Sequence, residues 1–147
     1  MLVLQFAFGD DSRNPYLPFN YDANTVVYTG THDNDTTRGW YAGIEEPLRH
    51  RVRSFIHSDG HDIAWDLMRL AFSSVADWAI TPIQDVLDLG GEARMNTPGR
   101  LGGNWAWRFD ASALTPEITG RLADLTTLFG RAPRSSESEV EAEVETD

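Results

Sequence analysis

Apolar residues occur along this chain in two arrangements: short unbroken runs, and stretches in which they return every three or four positions. Leu2 to Phe8 is continuously apolar apart from Gln5, the pattern of a strand covered on both faces in a parallel sheet. Thr25 to Gly30 is a second, β-branched run, and Asp77 to Ile83 is a third. Between the second and third runs the period lengthens. Pro47 opens a helix on which Leu48, Val52, Phe55 and Ile56 share one face while Arg49, Arg51 and Arg53 point elsewhere, and Ser58-Asp59-Gly60 ends it. A second helix runs from near His61 to about Ser74 with Ile63, Leu67, Leu70 and Ala71 inward. A last helix has Thr115 as N-cap, Pro116 in its first turn, Ile118, Leu122, Leu125 and Phe129 on one face, and Gly130 as its stop.

Strands joined by helical crossovers predict an α/β fold with a parallel sheet and right-handed connections. Three parallel strands make a poor independent domain, because both outer strands expose unpaired edges. Polar residues cluster immediately after the second strand, from Gly30 to Thr37, and Gln84 and Asp85 sit at the end of the third. Functional residues of parallel sheets are found at such strand ends. The stretch from Gly90 to Gly103 is a glycine-rich, basic connection of a length that is usually functional or flexible.

Composition narrows the function classes. A formal net charge of −11 lacks the basic footprint that nucleic-acid phosphates need. Six of the 23 acidic residues fall between Ser135 and Asp147, which divides the chain into a globular part, 1–134, and an expected disordered acidic tail, 135–147. The first apolar run is too short for a signal peptide or a membrane span. The absence of cysteine removes disulfide and thiolate chemistry and fits a cytoplasmic setting. All twelve basic residues are Arg, which points to a GC-rich genome. Five Trp suit either a thick core or a sugar-stacking cleft.

Two blocks carry a family resemblance. Val26-Val27-Tyr28-Thr29-Gly30-Thr31-His32-Asp33-Asn34-Asp35-Thr36-Thr37 with Gly39-Trp40-Tyr41 resembles the seventh-strand motif of the amylomaltases and disproportionating enzymes, glycoside hydrolase family 77. Ala93-Arg94-Met95-Asn96-Thr97-Pro98-Gly99 followed by Gly103-Asn104-Trp105-Ala106-Trp107-Arg108 resembles their C-terminal signature. Leu4 to Gly9, Asn14 to Pro18 and Ile83-Gln84-Asp85 fall in the same order, so the likeness extends to about Phe129.

The resemblance implies the last three βα units of a (β/α)8 barrel. It also implies retaining transfer of α-1,4-glucan segments between acceptors, without organic cofactor or catalytic metal. Such chemistry needs two carboxylates across the scissile bond. In family order both precede Met1, so the implied partners are α-1,4-glucans, maltooligosaccharides and an N-terminal part of the barrel, and the isolated chain is expected to be inactive. His32 and Asp33 resemble the residues that bond the ring hydroxyls of the sugar in the −1 subsite, Asp33 being the transition-state stabiliser. An unpartnered buried carboxylate at Asp33 would otherwise be hard to justify. Arg94, Asn96, Gln84, Asp85, Trp105 and Trp107 are expected to line or support the substrate cleft, although core packing suits either Trp and Asp85 could cap the helix that follows it. A glucan-binding fragment without turnover is the non-enzymatic alternative.

Other short patterns fit less well. Asp33-Asn34-Asp35-Thr36-Thr37 matches the Asp-x-Asp-x-Thr of haloacid-dehalogenase-type phosphatases, yet polar residues interrupt the preceding strand and no Lys is present. An EF-hand fails because Arg38 and Ile44 hold its glycine and acid positions. His57 and His61 are four apart, but Gly60 breaks the helix that would align them on a metal.

Overall fold

The computed structural model describes residues 1–133; the acidic segment 135–147 lies outside the described residues. Three short parallel strands, β1 (Leu2–Val3), β2 (Val26–Tyr28) and β3 (Trp78–Ile80), form one sheet in the order β1-β2-β3. Leu2 pairs with Val27 and Val3 with Tyr28, while Val26, Val27 and Tyr28 pair with Trp78, Ala79 and Ile80. Leu2, Val27 and Ala79 therefore share a face, and all three belong to the core or pack against it. The opposite face carries Val26, Tyr28, Trp78 and Ile80; Trp78 is 68% exposed and Ile80 41%.

Each strand is shorter than its apolar run. After Val3 the chain tightens into a 3-10 turn, Leu4–Phe6, which buries Leu4 and Gln5 and leaves Phe6 exposed. The loop that follows is stitched by buried Asn14, whose side chain donates to Phe6 O at 2.9 Å and accepts from Tyr16 N at 2.8 Å.

Three helices, not two, cross between β2 and β3. The first, α1 (Thr37–Gly43), falls in a stretch whose glycines and hydroxyls conceal its periodicity; Thr36 caps it by accepting from Gly39 N at 3.0 Å. Helix α2 (Glu46–Ile56) stops one residue before the predicted Ser-Asp-Gly, with His57 in the left-handed conformation at φ 53°. This cap role turns the His57 backbone out of the helix.

Helix α3 (Ile63–Phe72) is the centre of the core. It packs against α1, α2, β3, the one-turn helix α4 (Ile83–Val86) and the last helix, α5 (Pro116–Leu128). Being surrounded, it buries Ala64, Trp65, Met68 and Phe72 in addition to Ile63, Leu67 and Ala71, which a one-sided pattern does not predict. Helix α5 begins as expected, with Thr115 Oγ1 accepting from Ile118 N, and lays Ile118, Leu122, Leu125 and Phe129 on the core. Its end is joined to α3 by Arg131, whose guanidinium donates to Phe72 O at 2.7 Å, Ala76 O at 2.9 Å and Ser74 O at 3.0 Å.

Candidate functional site

The C-terminal ends of β2 and β3 open into a cleft of about 450 Å³. Its floor is Tyr28 and Gly30, one side is the β2–α1 loop from Thr31 to Thr36, and the other is Ile80 to Pro82 with Gln84. Arg94, Met95 and Trp105 of the long connection close the rim. Peptide and hydroxyl groups concentrate here because the strands stop, leaving backbone to be satisfied by loops.

The β2–α1 loop is held from several directions. Thr31 N and Oγ1 both donate to Asn34 Oδ1, at 2.9 and 2.7 Å, a local turn that exposes the intervening His32 and Asp33. Gln5 reaches from the first turn to donate to Asp35 O at 2.9 Å. A Cβ added at Gly30 would come within 2.6 Å of Gln5 Nε2, so glycine is what lets that amide cross beneath the loop.

Asp33 departs from the expectation of a buried, unpartnered carboxylate. Its side chain is 49% exposed and its Oδ1 accepts from Asn96 Nδ2 at 2.6 Å, with His32 Nε2 at 3.4 Å. Solvent and the two partners together hold the charge, which removes the burial cost that the sequence argument assumed. Asn96 N also donates to His32 O at 3.1 Å, and Arg94 Nη2 to Asp33 O at 2.7 Å. The His-Asp pair is therefore fastened to the Arg94–Asn96 segment through main chain and side chain alike.

Trp105 is 53% exposed and its ring lies 5.1 Å from that of His32. Its φ of 62° is unusual for a bulky residue and is fixed by a 2.8 Å bond from its own N–H to Met95 O. The strain presents an indole face beside the His-Asp pair, where an aromatic plane can stack on a sugar ring.

Asn96 supports the cleft through Asp33 without lining it, and two further expected residues lie elsewhere. Trp107 is off the cleft lining and stacks on Phe109 at 5.7 Å and 18°. Asp85 is 1% exposed and faces the protein interior: Thr29 Oγ1 and Thr37 Oγ1 donate to its Oδ2 at 2.6 and 2.7 Å, and Thr37 N to its Oδ1 at 2.8 Å. It caps a helix, but α1 and not the one in which it lies. Burial pushes its carboxyl above the usual carboxylate range, against the pull of the bonds from Thr29 and Thr37. Neighbouring Gln84 does line the cleft while donating to Ala93 O at 3.2 Å.

Asp35 lacks the placement a phosphatase-like pair would require. Its Oδ1 accepts from Thr36 N at 2.8 Å and lies against Gly39 and Gly91, whereas Asp33 is turned toward Asn96. Sequence reasoning missed Tyr28, Thr31, Asn34 and Thr81 as lining residues; position at a strand end was the signal that could have found Tyr28 and Thr81.

Residues 1–114 match the profile of glycoside hydrolase family 77, described as 4-alpha-glucanotransferase. Over 133 residues the chain is 50% identical to the 4-alpha-glucanotransferase of Synechocystis sp., covering 89% of this chain and 26% of that protein. It is also 50% identical to the enzyme of Thermus thermophilus, covering 83% of this chain and 26% of that one. The plant relative, the chloroplastic/amyloplastic enzyme of Arabidopsis thaliana, is 47% identical over 89% of this chain and 23% of its own length. Among solved structures, the amylomaltase from Streptococcus agalactiae in complex with acarbose superposes with a TM-score of 0.86 at 32% identity, over 90% of this chain and 27% of that one. The chain thus spans about a quarter of the length of the relatives it matches. Within that span, it belongs to glycoside hydrolase family 77, the 4-alpha-glucanotransferases.

Proposed function

We propose that this chain supplies one wall of the donor-sugar site of a 4-α-glucanotransferase that transfers α-1,4-glucan segments with retention. The observation that carries the reading is the cluster at the cleft mouth: Asp33 held by Asn96 at 2.6 Å and facing His32 at 3.4 Å, beside the exposed indole of Trp105. In a retaining transfer the sugar ring flattens toward an oxocarbenium ion, and hydrogen bonds to its hydroxyls strengthen as it does so. A partly exposed carboxylate already fixed at one oxygen has its other oxygen available to accept from two such hydroxyls, and His32 adds a second polar group. Interactions that grow in the transition state lower the barrier selectively. The solved relative is in complex with acarbose, and the likeness to it covers 90% of this chain.

The nucleophile and the acid/base belong, in this reading, to another part of a (β/α)8 barrel of which this chain forms the last three βα units. Support comes from the sheet itself. One face is covered by helices, while the opposite face leaves Trp78 and Ile80 exposed and β1 and β3 are its outer strands. Such surfaces are filled in a closed barrel and are an association hazard otherwise.

Maltotriose disproportionation tests the proposal. The chain alone is expected to release no glucose, and the chain joined to the N-terminal part of a family barrel is expected to release it. Release by the chain alone at a rate tracking its concentration would overturn the assignment of the carboxylates. A glucan-binding role without turnover is favoured by the cleft being formed within this chain; acarbose affinity of the chain alone, measured by calorimetry, separates binding from catalysis.

A further inference from the structure

We propose that Asp85 is a positioning residue: its buried carboxylate clamps both ends of the loop that presents His32 and Asp33. The inference rests on the reading of that pair as sugar-facing. Thr29 is the first residue after β2 and Thr37 the first residue of α1. Both hydroxyls converge on Oδ2 of Asp85, at 2.6 and 2.7 Å, and Thr37 N takes Oδ1 at 2.8 Å. A span of seven residues, 30 to 36, is thereby closed on one side chain that arrives from α4, beyond β3.

Alternatives to this clamp are few on that side. Thr29 N donates to Ile80 O at 3.3 Å and Thr29 Oγ1 has Thr81 Oγ1 at 3.3 Å as its other side-chain neighbour, while the ties from Gln5 and from the Arg94–Asn96 segment hold the middle and the outer edge of the loop. All three groups bonded to Asp85 are neutral. A buried carboxyl group satisfied only by neutral donors is a costly way to make a core, and an apolar side chain of similar size would pack the same space without that cost. What the carboxylate provides is two oxygens accepting from two loop ends at once, which Asn, with one acceptor and one donor group, cannot reproduce.

Hydrogen exchange and NMR of the isotopically labelled chain test the clamp. In Asp85→Asn, exchange at Asn34 N and Asn96 N should rise by at least about tenfold while amides of α3 keep their parent rates, the signature of local and not global opening. The His32 ring and Asn96 side-chain resonances should shift with them. Unchanged loop exchange, or exchange rising equally in loop and α3, would overturn the proposal, because the second pattern is what a purely structural residue gives. Should Asp85→Asn fail to fold, Thr29→Val and Thr37→Val each remove one donor at nearly constant shape, and each should loosen the loop alone. Failure of the sugar-facing reading is seen separately, as normal turnover in Asp33→Asn of the completed enzyme, and leaves the exchange result untouched.

Discussion

Asn96 donates its side-chain amide to Oδ1 of Asp33 at 2.6 Å, joining two segments 63 positions apart in the chain. The bond occupies one carboxylate oxygen and leaves the other without a protein partner among the described residues. Asn96→Ala in the completed enzyme should therefore let Asp33 rotate, lowering kcat by about ten- to a hundredfold, the equivalent of one hydrogen bond to a charged group. Steady-state kinetics on maltotriose check this, and a full retention of kcat would show that Asp33 is aligned without Asn96.

Asp33→Asn keeps the shape and removes the charge. If the carboxylate bonds the sugar mainly as the ring flattens, kcat should fall by at least about a thousandfold, roughly 4 kcal/mol of barrier, with a much smaller change in KM. Weakened KM with normal kcat would reduce Asp33 to a uniform substrate clamp.

The Asn96–Asp33 contact also marks the limit of what the sequence could tell. His32, Asp33, Arg94 and Asn96 were nameable from motif resemblance, and the strand-end rule placed Gln84 beside the cleft. Their mutual contacts were not, since a bond across 63 positions depends on how the glycine-rich connection returns over β2. Asp85 shows the same limit differently: a polar residue at a strand end can face the cleft or the core, and only the positions of Thr29 and Thr37 decide it. Helix α1 was hidden because Gly39 and Gly43 weaken its local propensity, while tertiary contact with α3 supplies its stability.

Gly39 yields a prediction opposite in sign to helix propensity. In an open helix, Gly→Ala stabilises by about 0.5–1 kcal/mol. Here an added Cβ would come within 2.5 Å of Asp35 Oδ1 and 2.8 Å of the Gly91 backbone, which cannot rotate away. Gly39→Ala should lower the thermal midpoint, as overpacking costs about 1–3 kcal/mol. A raised midpoint by circular dichroism would show that the 91–93 turn yields freely.

Arg131 closes the C-terminal carbonyls of α3 and the turn into β3. Arg131→Ala leaves Phe72 O, Ser74 O and Ala76 O without this partner, and should destabilise the chain by about 1–3 kcal/mol in denaturant titration. Arg131→Lys should recover little, since an ammonium cannot reproduce the planar fork that meets several carbonyls at once. Equal stability of the Lys variant and the parent would argue for simple charge at the helix end.

The pH dependence of stability isolates Asp85. Its folded-state carboxyl is raised, first by burial and further by the charge of Asp35, with the bonds from Thr29 and Thr37 opposing. A carboxyl raised on folding binds its proton more tightly in the folded chain than in the unfolded one. Its contribution is most favourable below the unfolded value of about 3.9 and is lost as pH rises through the folded value. Exposed carboxylates such as Asp11 and Glu46 are lowered by Arg13 and Arg53 and act with the opposite sign, so the bare pH profile of the chain mixes the two. The difference between the chain and its Asp85→Asn variant cancels them, leaving Asp35 as the coupled neighbour. That difference should grow in favour of the parent as pH falls from neutrality, and the growth should diminish in an Asp35→Asn background. A flat difference would mean that the three donors balance desolvation, and one that favours the parent more strongly at neutral pH would mean that they outweigh it; either overturns the prediction.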